Sequence, residues 1–127
     1  MPAVEVSWGE LVDKLTILEI KERRLNSPAQ VANVKRELVA LNKGLDELHP
    51  PAEFAALKQS LAAVNEELWD IEDKIRAKEA QKTFDAEFVS LAREVYLTND
   101  RRSALKREIN LLLKSALIEE KQYTPYA

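Results

Sequence analysis

Cysteine is absent from the 127-residue chain, histidine occurs once and glycine twice. Without cysteine there are no disulfides, no thiol catalysis and no thiolate metal sites. A lone His49 removes most zinc chemistry and any triad that needs a histidine base. Two glycines and five prolines are too few for a loop-rich or collagen-like chain. No apolar run approaches the ~20 residues of a membrane helix. The start, MPAVEVSWGE, has neither the basic nor the apolar region of a secretory signal. The expectation is a cytoplasmic protein with no membrane partner. No sign of charge dominates: 19 Lys and Arg stand against 22 Asp and Glu, a net charge of −3. That balance argues against a nucleic-acid partner.

What is present is hydrophobic (46%) and charged (32%) residue in nearly continuous helical pattern, and the chain is long enough for one domain with a modest core, spanning 1–127. Val4 and Val6 alternate around Glu5 in a short stretch, Ala3 to Val6, that reads as coil or as a strand needing a partner. Helix 1 starts at Ser7, where Ser7 and Glu10 have the spacing of a capping box. Trp8, Leu11, Leu15, Leu18 and Leu25 form its stripe. Val12, Ile17 and Ile20 widen the apolar surface, so this helix is expected to be covered on more than one side. Ser27 and Pro28 open helix 2, whose Val31, Val34, Leu38, Leu41, Leu45 and Leu48 alternate in steps of three and four. His49-Pro50-Pro51 ends it. Helix 3 runs from about Ala52 to Ala80 on the seam Phe54, Leu57, Leu61, Val64, Leu68, Ile71 and Ile75, with Trp69 off that seam.

The longest element is predicted over Phe84 to Glu120. Phe88, Leu91, Val95, Leu105, Ile109, Leu112 and Ala116 keep one register, and counting through the polar stretch TNDRR lands on Thr98 and Arg102. One unbroken helix with a hydrophilic layer in its seam is therefore expected. A second apolar line, Leu97, Ala104, Leu111 and Ile118, recurs every seven residues. These elements give an all-α fold of four antiparallel helices, a helical bundle with coiled-coil-like seams and a long C-terminal helix. The surplus apolar surface predicts a homodimer through helices 1 and 4. Tyr123 and Tyr126 around Pro125 are expected to pack as a tail.

Three polar clusters are candidates for chemistry. Asn99, Arg101, Arg102 and Lys106 lie in or beside the seam of helix 4, and a hairpin count places Asn65, Glu66 and Glu67 opposite, with Asp70 one turn away. Such a layer fixes register between helices. The same residues suit an anion or phosphate pocket, with the cations as a fork and Asn99 orienting the ligand. Glu10, Asp13 and Lys14 in helix 1 read as capping and dipole compensation. Glu67 and Asp70, three apart, have the spacing of carboxylates that share a divalent metal. They partly match the paired acidic signatures of helical nucleotide pyrophosphohydrolases, and acidic helices produce such spacing by chance. No cofactor is implied.

The segments VSWGELVDKLTILEIK, LWDIEDKIR and VYLTNDRRSALKREINLLLKSALIEEKQY together resemble an uncharacterised family of small helical bacterial and phage proteins that carries a domain-of-unknown-function label. The resemblance covers most of the chain and implies no activity, substrate or site. Two functions stand from the sequence. One is a non-catalytic interaction or scaffold module with a protein partner. The other is a phosphate or nucleotide binder, or a metal-dependent nucleotide hydrolase, using Arg101, Arg102 and Lys106 for the anion and Glu67 and Asp70 for the metal.

Overall fold

The computed structural model describes residues 1–46 and 48–115, and its regular structure is four helices with no strand. These are α1 (Trp8–Arg24), α2 (Pro28–Asp46), α3 (Glu53–Ala80) and α4 (Ala86–Leu112). Residues 3–6 are coil. Glu47, Ala116, Ile118 and the tail containing Tyr123 and Tyr126 lie outside the described residues.

The helix around which the others are arranged is α1, not the longer α4. It packs against each of α2, α3 and α4, and α3 and α4 pack against each other. The spacing of its residues shows how one helix serves two cores. Leu15 and Leu18, helped by Leu11 and Leu25, meet Val34 and Leu38 of α2. On the adjoining face, Val12 meets Leu61 of α3 and Ile109 of α4, and all three are fully buried. At about 100° per residue Val12 lies roughly 60° from Leu15 and roughly 120° from Leu18, so the two sets occupy adjoining faces of α1. The apolar excess that suggested a shared subunit face on helix 1 is thus enclosed within the chain.

Helix 4 passes through Asn99 without a break, as its register predicts. Leu91, Thr98 and Ile109 are buried on its seam, and Arg102 is half-buried there. It stops at Leu112, short of the predicted Glu120. Lys114 turns into the left-handed region (φ 55°), Ser115 N–H donates to the Asn110 carbonyl (2.8 Å) and Lys114 N–H to that of Leu111 (3.4 Å). That is a Schellman ending built without glycine, so composition gave no stop signal.

The same ending closes α3. Lys82 has φ 54°, Thr83 N–H donates to the Lys78 carbonyl (3.0 Å) and Lys82 N–H to that of Glu79 (3.0 Å). Asp85 then caps α4 by accepting from Phe88 N–H (2.9 Å), and Lys78 beside it holds the Asp85 carboxyl below its ordinary range. A side chain at Lys82 is strained by its Cβ, and its ion pair with Glu79 is exposed and long at 3.6 Å. Lys82→Gly is therefore expected to stabilise the fold by about 1 kcal/mol, seen as a higher urea midpoint at unchanged slope.

Candidate functional site

The site is a column of polar contacts where α1 lies against α3 and α4. It begins at the first turn of α1, whose amides have no partners within the helix. Ser7 Oγ accepts from Glu10 N–H (3.1 Å), which is one half of the predicted capping box. The other half is replaced: Glu10 turns its carboxylate to Lys106 Nζ (2.7 Å). The next amides are capped from α4 and its end. Gly9 N–H donates to Asn110 Oδ1 (2.6 Å), and Trp8 N–H to Ser115 Oγ (3.0 Å).

One turn further, Asp13 is the centre of the column. Its side chain is 2% exposed and accepts from Arg102 Nε (2.8 Å), Arg102 Nη2 (2.5 Å) and Asn65 Nδ2 (2.9 Å). Asn65 Nδ2 also donates to Thr16 Oγ1 (2.8 Å), and Thr16 Oγ1 donates to the Asp13 carbonyl (2.8 Å). The hairpin count placed Arg102 opposite the carboxylates of helix 3. Its bidentate partner is on α1 instead, because α1 fills the groove between α3 and α4.

At the far end of α1, Arg24 joins Glu66 (2.5 Å) and Asp70 (2.7 Å) of α3, and Arg23 adds a bond to Glu66 (3.1 Å). Arg24, with Arg23 in support, holds the Glu66 carboxyl below its ordinary range. The Arg24 guanidinium also lies over the ring of Trp69, 6.0 Å from its centroid.

The predicted site residues are therefore close in the fold but do not converge as one fork. Arg101 pairs with Glu67 on the surface, Arg102 with Asp13, and Lys106 with Glu10. Asn99 accepts from Arg102 Nη1 (3.5 Å). Glu67 and Asp70 each face a different arginine, and no three Asp, Glu or His converge as a metal cluster among the described residues. The sequence pattern placed Asn65 opposite the layer without giving it a part, passed over Thr16, Asn110 and Arg24, and took Asp13 for a capping acid. A polar residue next to an apolar seam, as at Asn65 and Asn110, was the available signal. Beside the column opens a cleft of about 440 Å³ with Ile17, Leu68, Trp69, Asn65, Asn99 and Arg102 on its walls.

These features define a class: an all-helical protein whose central helix is locked to a helical pair by a buried ionic and amide column. The chain belongs to a family of unknown function (DUF6165), which it matches over residues 2–127. No curated protein and no solved structure matches it. No helix among the described residues is long and apolar enough to cross a membrane.

Proposed function

We propose that this protein is a non-catalytic interaction module that acts in the cytoplasm as a homodimer of antiparallel helical bundles. The observation that carries this reading is the outer line of α4. Leu97 is 39% exposed and Leu111 57%, with Ala104 exposed midway between them. Val89 and Tyr96, 54% and 42% exposed, extend the apolar surface toward the start of the helix. Exposed apolar residues that recur every seven positions along a helix suit packing against another helix. The occupant we infer is a second copy. Two leucines spaced evenly about a small residue are self-complementary under a two-fold axis through Ala104, as an isologous contact requires. The surplus on helix 1 does not support the interface, since α1 is enclosed, so the contact is assigned to α4 alone.

Light scattering at micromolar concentration is expected to give twice the 14.5 kDa of one chain. Leu97→Glu with Leu111→Glu should return the mass to one chain while the helical signal and melting cooperativity persist. A wild-type mass of one chain overturns the reading.

A second reading is a binder or hydrolase of a phosphorylated compound through Asn99, Arg101, Arg102 and Lys106, with a metal at Glu67 and Asp70. It has less support, because each of the three cations already faces a carboxylate of its own chain.

A further inference from the structure

The cleft beside Trp69 shares no residue with the outer line of α4, and its polar groups have a fixed polarity. The hydrogen-bond partners of Asn65 decide which way its amide points. The Asp13 carboxylate only accepts, and Thr16 Oγ1 has committed its hydrogen to the Asp13 carbonyl. Asn65 must therefore present its NH₂ to both. Its Oδ1 is turned the other way and has no hydrogen-bond partner among the described residues, although the residue is only 4% exposed. It keeps contact with solvent where Asn65 lines the cleft. An acceptor left without a partner in a buried residue that lines a cleft is an unfilled hydrogen-bonding position.

Asn99, on the same wall, is oriented by the opposite logic. Arg102 Nη1 donates to its Oδ1, so its NH₂ points elsewhere, and that group has no partner among the described residues. One fixed acceptor and one fixed donor thus share a cleft with the indole of Trp69, itself covered by an arginine that Glu66 and Asp70 hold in place. Ile17 and Leu68 supply apolar wall. The volume, about 440 Å³, lies in the range of small-molecule sites.

We propose that this cleft binds a neutral heteroaromatic ring of the nucleobase class, as the free base or nucleoside. A base carries N–H donors and carbonyl or ring-nitrogen acceptors in one rigid plane, which match Asn65 Oδ1 and Asn99 Nδ2 without a rotor to order. Its faces suit the indole and aliphatic walls. Of the charged residues on the cleft, Arg102 is paired with Asp13 and Arg76 with Glu72 (3.5 Å), which leaves the Asp73 carboxylate to oppose a phosphate, so the ligand is the uncharged form and not the nucleotide.

The test is a titration of the ¹⁵N-labelled full chain, following the Trp69 indole and the Asn65 and Asn99 side-chain amides. The probes are adenosine, cytidine, guanosine and uridine, their 5′-monophosphates, and glucose. At least one nucleoside is expected to shift these resonances saturably with Kd below about 1 mM. Its monophosphate should bind more weakly, and glucose should leave them unmoved. Asn99→Asp, which turns the donor into an acceptor, is expected to weaken binding about tenfold or more at unchanged melting temperature. Asp73→Asn should leave nucleoside binding intact and narrow the gap to the monophosphate. No saturable shift with any nucleoside, equal shifts with glucose or a monophosphate, or undiminished binding by Asn99→Asp each overturn the proposal. None of these outcomes depends on the oligomeric state.

Discussion

Asp13→Ala is expected to destabilise the protein by about 3 kcal/mol, among the largest effects of any single substitution in the chain. Its carboxylate is buried and holds two guanidinium nitrogens of Arg102 and the amide of Asn65. Removal strands all of these donors at once. Asn65 is 4% exposed and cannot recover its bond from water. The Arg102 side chain is 29% exposed and regains some hydration, which places the loss at the lower end of the 3–5 kcal/mol usual for breaking a buried pair. Asp13→Asn keeps an acceptor for Asn65 or Arg102 but loses the charge, so its effect should fall between Ala and wild type. Urea denaturation with the slope held fixed reads both.

The double substitution Asp13→Leu with Arg102→Met separates two explanations. If the pair contributes net stability, the double variant stays about as unstable as the weaker-folding single, because either single already removes the pair. If the pair mainly aligns α1 in its groove, the double recovers most of the loss, because apolar packing replaces two desolvated charges. The second outcome is expected here. A double variant no more stable than the singles would instead assign the pair a net stabilising part, and a loss equal to their full sum would mean that the two residues are not coupled.

Much of this arrangement was readable in advance, for reasons that lie in periodicity. The seam of α4 kept its step across Thr98 and Arg102, and a helix that keeps its step has no reason to bend. The seam of α3 buried Leu61, Val64 and Ile71 as counted. What the pattern could not show was pairing between helices distant in sequence. Arg102 has carboxylates within reach on α3 by hairpin counting, yet Asp13, 89 residues away, takes it. Asp13 lies in the first turns of α1, where an acid has a sufficient local explanation, and that explanation hid its tertiary one. The end of α4 was hidden differently. Its left-handed residue is Lys114, and lysine carries none of the signal that glycine gives at that position.

The two glycines lie in helices, and alanine in their place should act in opposite directions. In an open helix position the change stabilises by about 1 kcal/mol. Gly44 is such a position: a Cβ there meets only Leu11 Cδ2 at 3.5 Å, an ordinary contact. Gly9 is not. A Cβ there would stand 2.4 Å from the Lys106 carbonyl oxygen and 2.8 Å from Asn110 Oδ1. The first of these atoms is backbone inside α4 and cannot move unless the two helices separate. Separation would lengthen the Gly9 to Asn110 bond (2.6 Å) and the Glu10 to Lys106 pair (2.7 Å) together. Gly9→Ala is therefore expected to lose about 3 kcal/mol, while Gly44→Ala gains up to about 1 kcal/mol, both measured by urea midpoint. Adding Asn110→Ala to Gly9→Ala removes the softer obstacle and leaves the harder one. It also deprives the Gly9 amide of its acceptor, so the double variant should be no more stable than Gly9→Ala alone. Recovery in that double variant would mean that the Asn110 side chain, and not the closeness of the two backbones, is what excludes a methyl group at Gly9.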